Sequence, residues 1–439
     1  MKFTRLAMGL ALAGLSFGAN ATNGMFGHGY GMKAKGMGGA ATASSDDAFG
    51  GANNPASMAF AGNRMDIGAD VFMPIREANR VGSTGGGGFP AIDADSESES
   101  NVFLIPEFGY NRMINPNLAL GVTVYGNGGM NTDYDPILGS AGVCGPATNF
   151  FCGQGRLGID LMQLIIAPTA AYKLNASHSI GISPLLAYQR FKAEGLQGFT
   201  VGSTNGAAMT NNGYDDSFGY GVRIGYFGRI TPTVTIGAAY SSKVNFDEFD
   251  DYKGLFAEQG DLDIPENYNV GIAWQATPQV KLAFDYQRIN YSDVDSIGNP
   301  MSNFFPCFGG SLPNCFGGSV GPGFGWADTD VWKLGVEYKH NNQWTLRAGY
   351  SHTNSPIESS NTFGNPDFGE AAINILAPGV VEDHVTLGFT YTLASGNELT
   401  VSYMHAFTNE VSGADPFFGG LDTIKMHQNS IGIAYGMKM

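Results

Sequence analysis

The chain has 439 residues, 64 of them glycine, with 12% aromatic and only 14% charged positions. Its 39 acidic residues outnumber 23 basic ones, for a formal net charge of −16, which excludes nucleic acid as a partner because a phosphate backbone is bound through a basic footprint. The mean hydropathy of −0.07 is too polar for a bundle of membrane helices, and the charge is too sparse for a soluble chain, in which about a quarter of residues are charged.

Residues 1–21 carry the parts of an export signal in order. Lys2 and Arg5 precede the apolar run LAMGLALAGLSF, and Ala19-Asn20-Ala21 forms an A-x-A cleavage site. The run is too short to cross a bilayer as a helix, and Thr22, not a lipoprotein cysteine, follows the cut. A signal peptide over 1–21 is expected, and its removal takes Lys2 and Arg5 away, moving the net charge from −16 to −18.

Residues 22–64 follow neither the 3.6-residue period of a helix nor the alternation of a strand. Within them DDAFGGANNPASM, Asp46–Met58, carries Gly50, Gly51, Asn53, Asn54 and Pro55, which are turn formers without an apolar face of their own.

From residue 65 onward alternation sets in. In VWKLGVEYK, Trp332, Leu334, Val336 and Tyr338 face one way, and Lys333, Gly335, Glu337 and Lys339 the other. Large apolar residues opposed by glycines and isolated charges fit lipid outside and a crowded lumen inside. Such segments fall at 65–77, 101–112, 117–127, 156–174, 177–192, 215–230, 233–244, 264–276, 279–291, 327–340, 343–355, 380–394, 397–408 and 426–439. They number fourteen, an even count as in single-chain bacterial barrels. The expected fold is therefore all-β, a 14-stranded antiparallel transmembrane barrel over 65–439, in the outer membrane of a Gram-negative cell.

The connections alternate as well. Short turns fall at INPN, LNAS, ITPT, ATPQ, HNNQ and ASGN, each with turn-forming residues. Long loops fall near 78–100, 128–155, 193–214, 245–263, 292–326, 356–379 and 409–425. Short turns toward the periplasm and long loops outside are the usual polarity. The last segment, NSIGIAYGMKM, alternates to the end like a signal for barrel-assembly machinery, although Met439 stands where such signals have Phe or Trp.

Cys144 and Cys152 bracket GPATNFF, and Cys307 and Cys315 bracket FGGSLPN. In an oxidising compartment the pairs Cys144–Cys152 and Cys307–Cys315 are expected as disulfides; the short C-x₂₋₄-C spacing of zinc fingers is absent. No metal or other cofactor is expected.

The run NGMFGHGYGMKAKGMGGAATASSDDAFGGANNPASM resembles the N-terminus of the FadL/OmpP1/TodX outer-membrane transporters of hydrophobic compounds. The similar features are the Gly-rich opening, Gly36–Ala40, Asp47-Ala48 and, most specifically, Asn54, Pro55 and Ala56, which match the family's N-P-A motif. The resemblance implies that 22–64 is a small plug, or hatch, inside the lumen. It implies passive transport, with capture by apolar outer loops, lumenal binding, and lateral exit where the third strand kinks beside the N-P-A segment. The third segment ends in Gly126, Gly128 and Gly129, candidates for that kink or for the start of an outer loop.

Capture has candidates in Phe304, Phe305, Phe308, Phe316, Phe324, Phe417 and Phe418 of two outer loops; alternatively these rings bury one another. For a carboxylate ligand, inward Arg223 and Arg347 are candidate contacts, with an ion pair inside the lumen as the competing role. Long-chain fatty acids lead among ligands, with monoaromatics and alkanes as alternatives; a general porin or an outer-membrane hydrolase would need no plug. The acidic run DADSESES at 93–100 is either a solvated loop or a cation bridge to lipopolysaccharide. Gly29-x-Gly31-x-x-Ala34 and Gly317–Gly321 match dinucleotide and nucleophile-elbow spacings without the required strand–helix context. No enzyme activity is expected, and the family implies a monomer.

Overall fold

Period-two alternation builds one continuous sheet. The computed structural model describes residues 22–439 except 87, 138–143 and 145–147; the expected signal peptide lies outside the described residues. The strands are β1 (Arg64–Val81), β2 (Ala94–Glu97), β3 (Phe103–Met113), β4 (Leu118–Asn131), β5 (Gly158–Lys173), β6 (His178–Glu194), β7 (Asp215–Arg229) and β8 (Val234–Ser241). They continue as β9 (Asn245–Phe246), β10 (Asn267–Gln275), β11 (Val280–Ile289), β12 (Thr329–Lys339), β13 (Trp344–Thr353), β14 (Asp383–Thr392), β15 (Glu398–Ala414) and β16 (Leu421–Lys438).

All but the short β2 and β9 form the wall, antiparallel throughout, so the barrel has fourteen strands. It closes through β1 on β16, from Arg64↔Lys438 to Val81↔Leu421. Each expected segment is a wall strand. The expected loop over 409–425 is mostly hairpin: after a register shift between Ala406 and Asn409, β15 and β16 stay paired to Ala414↔Leu421. Gly413, Pro416, Gly419 and Gly420 read locally as a loop, but the flanking Val411 and Ile424 keep the alternation.

Five of the six short turns share one device. Asn115 Oδ1 accepts from the N–H groups of Asn117 and Leu118, both at 2.9 Å. Asn175, Thr231, Thr277 and Asn341 make the same pair of bonds in their turns. These side chains replace the ladder partners that a reversing backbone loses. Between the rims, Ile180, Ile182, Leu186, Val270, Ile272 and Trp274 are among the large apolar side chains exposed on the outer face, the composition of a lipid-facing band.

The inner face explains the glycines. A Cβ at Gly181 would lie 2.4 Å from Ala56 N, at Gly237 2.0 Å from Thr42 O, and at Gly349 2.1 Å from Gly38 N. Glycine stands where the backbone of residues 22–63 approaches the wall too closely for any side chain. That segment packs against the inner face of the wall, and its Met25, Phe26, Tyr30 and Ala52 join the apolar core formed largely by the long loops.

Candidate functional site

The N-terminal segment is attached by polar contacts. Asn54 Oδ1 accepts from Ala56 N at 3.1 Å, starting a short helical turn at Pro55. Its amide donates to Thr42 O at 2.8 Å and to Tyr226 O of β7 at 2.9 Å, and Ser179 Oγ of β6 donates to Ala56 O at 2.7 Å. Ion pairs add Lys33–Glu398 and Lys35–Asp70, each at 2.6 Å, and Lys281–Asp46 at 2.5 Å. Asp285 Oδ2 accepts from the N–H groups of Ala41 and Thr42 at 2.8 Å each.

The wall itself has a notch. The β3–β4 ladder runs only from Phe108↔Val124 to Met113↔Ala119. Beyond it, Phe103–Glu107 pair with β1, and Gly126, Gly129, Met130 and Asn131 pair with β5. The β4–β5 register shifts between Gly126 and Gly129, so Asn127 and Gly128 together oppose Gln163 as a bulge. Asn127 turns inward: its carbonyl accepts from Gly27 N at 3.3 Å and Tyr30 Oη at 3.1 Å, and the Tyr30 ring lies 4.6 Å from that of Tyr125. Gly126, Gly128 and Gly129 thus sit at a wall irregularity. The residues touching the bulge are Gly27 and Tyr30, whereas Asn54–Ala56 lie against β6 and β7; Asn53 Nδ2 links the two parts by donating to Tyr30 O at 2.9 Å.

The outer half of the lumen is aromatic. Phe304 and Phe316 have ring centroids 4.8 Å apart, Phe199 and Phe417 5.1 Å, and Phe89 and Phe418 4.8 Å. Phe304, Phe316, Phe324, Phe417 and Phe418 are buried in this dome. Phe308, 59% exposed, and half-buried Phe305, stacked near exposed Phe363, present rings outward. Val201 and Leu312 of the long loops are exposed as well, and none of Val201, Leu312 and Phe363 stood out in the sequence. Disulfides Cys144–Cys152 and Cys307–Cys315 close two of the loops, with Cα separations of 5.3 and 4.9 Å.

Beneath the dome lies a cavity of about 20 Å³ lined by Phe191, Phe256, Phe316, Phe324 and Leu376. A second, also of about 20 Å³, is lined by Phe72, Met130, Trp326, Met426 and Arg76, and reaches Gly129–Asn131 beside the notch. Phe324 and Trp326, 6.2 Å apart, stand between the two. Each holds about one water, so passage of a larger molecule requires the lining to move.

The two arginines differ in their surroundings. Arg347 Nη2 pairs with Glu337 at 2.7 Å and its Nη1 donates to Thr390 at 2.7 Å, the ion-pair role. Arg223 is buried, donates through Nε to Ser241 Oγ at 3.1 Å, and leaves Nη1 without a partner. It lines a small polar cavity with Tyr30, Asn269, Asp285 and Lys333, the last donating to Gln287 at 2.9 Å. Neither Arg223 nor Lys333 makes an ion pair among the described residues. Lys333 was visible in the sequence only as one inward polar position among many.

Comparison with known proteins gives the same architecture. Residues 28–417 match the family model described as outer membrane protein transport protein (OMPP1/FadL/TodX). No curated protein matches the chain. Among solved structures, the Pseudomonas putida toluene transporter TodX is similar at 17% identity and TM-score 0.65, covering 94% of this chain and 99% of that one. A Pseudomonas aeruginosa FadL homologue gives 17% and 0.68 over the same shares. The CymD monoaromatic hydrocarbon channel gives 18% and 0.57, over 94% of this chain and 98% of that one.

Proposed function

The chain belongs to the OMPP1/FadL/TodX family of outer-membrane transport proteins for hydrophobic compounds, and from that premise we propose that it carries long-chain fatty acids passively, by lateral exit through the notch between β3 and β4. The observation that carries this reading is the notch, where two wall strands part beside an apolar cavity. An apolar molecule leaving there enters lipid without crossing water.

In this reading ligand first adsorbs on Phe305, Phe308 and Phe363, then parts the dome of Phe304, Phe316, Phe417 and Phe418. The unpaired Arg223, with Lys333 beside it, is suited to a carboxylate, since guanidinium grips that group through two parallel bonds. Asn54, Pro55 and Ala56 hold the plug to β6 and β7, and movement of the plug frees Tyr30 from the bulge at Asn127. The tight turns face the periplasm, the monomer sits in lipopolysaccharide, and the last strand is read by the assembly machinery. A second reading, uptake of monoaromatic hydrocarbons, is favoured by the likeness to TodX and CymD.

Uptake of labelled oleate into cells lacking their own such channel tests the proposal, with labelled toluene and a disaccharide in parallel. Oleate entry without disaccharide entry is expected. Asn54→Ala leaves the Thr42 and Tyr226 carbonyls unpaired, at a cost of about 1–3 kcal/mol, and is expected to lower oleate uptake. Disaccharide entry through the intact protein would replace the transporter with a porin, and toluene entry alone would select the second reading.

A further inference from the structure

Arg76 is the one residue lining the cavity beside the notch that carries a full charge. Its side chain is buried, with 4% of the residue exposed. It makes no ion pair among the described residues. Its Nη1 donates to the carbonyl of Asn131 at the end of β4, and Nη2 to the carbonyl of Ser100. Nη2 also lies 3.4 Å from Asn101 Oδ1, while Nε has no partner. The guanidinium carbon stands 5.8 Å from the centroid of Phe103, the first residue of β3.

This position in the sheet matters. The β1–β3 ladder ends at Phe72↔Phe103, and β1 next pairs with β2 at Glu77↔Glu97. Arg76 therefore stands at the end of the β1–β2 pairing, where Ser98 N donates to its carbonyl at 2.8 Å, next to residues 73–75, which lie outside both ladders on that side. Through Asn131 it ties β1 across the notch to β4. Outside this tie the two edges meet through Glu99 N to Asp133 O at 2.9 Å and Asp133 N to Ser98 Oγ at 3.0 Å, and part-exposed Arg156 pairs with both Glu99, at 2.7 Å, and Asp133, at 2.5 Å.

A buried guanidinium held only by neutral acceptors is poorly compensated. A carboxylate arriving in the cavity would accept charge-assisted bonds, about twice as strong as those to a carbonyl. We propose that Arg76 is a headgroup-operated latch: an anionic amphiphile draws its two Nη groups off Asn131 and Ser100, and the same exchange that seats the carboxylate unties β4 and opens the notch. The proposal rests on lateral exit as the route. The apolar tail meanwhile lies along Phe72, Met130, Trp326 and Met426. An uncharged hydrocarbon makes no such exchange, so Arg76 sets the preference of the exit for acids over hydrocarbons.

The test compares wild type, Arg76→Met and Arg76→Lys in the whole-cell assay, with labelled oleate and labelled toluene and with heat-modifiable gel migration to verify folding. Arg76→Met is expected to lower oleate uptake at pH 7 about tenfold, the low end for a lost bond to a charged group. Toluene uptake is expected to rise, because the tie is gone. Arg76→Lys, which keeps the charge without the fork, falls between for oleate. The oleate deficit of Arg76→Met is expected to shrink at pH 5, nearer the carboxyl pKa, where more of the ligand is protonated.

A parallel fall of both ligands in folded Arg76→Met would show a structural role and overturn the latch, as would no change in either. Wild type that admits toluene but no oleate overturns the latch and leaves lateral transport standing. Wild type that admits neither overturns both.

Discussion

Residues 22–63 are held to the wall largely by polar contacts, such as Lys35–Asp70 at 2.6 Å and Asn54 Nδ2 to Tyr226 O at 2.9 Å, with small apolar clusters at Met37 and Met58. Beneath the outer loops the lumen is closed by rings, with Phe304 and Phe316 4.8 Å apart. The first kind of closure can exchange its bonds for bonds with water, so its net strength is about 1 kcal/mol for a neutral contact and about 1.5–3 kcal/mol for one to a charged group. The second cannot exchange with water without exposing apolar area, but an apolar ligand replaces the lost contacts. The two closures therefore differ in what can replace their contacts, water in the first and an apolar molecule in the second.

The largest break in that comparison comes from the wall behind the plug. Gly349→Val sets a side chain where a Cβ already falls 2.1 Å from Gly38 N and 2.2 Å from Met37 C. Backbone cannot step aside as a flexible side chain would, and overpacking costs about 1–3 kcal/mol. The expected outcome is a folded barrel with an undocked plug, read as entry of a hydrophilic dye or antibiotic and as raised conductance in planar bilayers. Unchanged permeability with normal barrel assembly would mean that the plug does not seal the pore.

The dome is tested through its staple. Cys307→Ser with Cys315→Ser removes a cross-link over a nine-residue loop, worth roughly 2.5 kcal/mol on the chain-entropy estimate. The loop carries Phe308 and borders Phe304 and Phe316, so faster protease cleavage between 301 and 326 and weaker ligand capture are expected. The plug contacts should be untouched, which a dye-entry assay would verify. Dye entry in this variant would mean that the two closures are coupled.

The wall was legible because lipid on one side and a filled lumen on the other impose period two on every strand, and because Asn115, Asn175 and Thr231 announce their turns chemically. The dome was not. Phe417 and Phe418 look exposed in a Gly-rich loop, yet Asp415 Oδ1 accepts from both their N–H groups at 2.7 Å and turns the pair inward. Burial of one loop by another has no local period to read. The notch was half legible: Gly126, Gly128 and Gly129 mark the bulge, but the parting of β3 from β4 is a matter of register between strands. Arg76 and Lys333 stood in the sequence as polar positions in an alternating pattern, like a dozen others, and acquire significance only from the partners they lack.

The most local probe of the dome acts on one buried carboxyl where its loops meet. Glu370 begins the short helix Glu370–Ile373 in the 356–379 loop. Its Oε1 accepts from Met301 N at 2.7 Å, and its Oε2 has no partner. A Cβ on Gly325 would lie 1.9 Å from that oxygen, and one on Gly369 3.0 Å from Pro416, so this group sits where three loops meet. Burial pushes its pKa up to about 8; the Met301 N–H opposes the shift and Asp367 adds to it. The docked loop thus keeps a proton that the undocked loop releases from about pH 4.5 upward, near the ordinary glutamate value. Docking is strongest below that pH and weakens as pH rises toward 8, by at most about tenfold per unit. Hydrogen exchange in residues 365–376 should accelerate across that window and level off above it. Glu370→Gln, which keeps the shape and carries no charge, should exchange slowly at every pH after correction for the intrinsic rate. An equal pH response in wild type and Glu370→Gln would place the sensitivity elsewhere and leave the dome purely a matter of apolar contact.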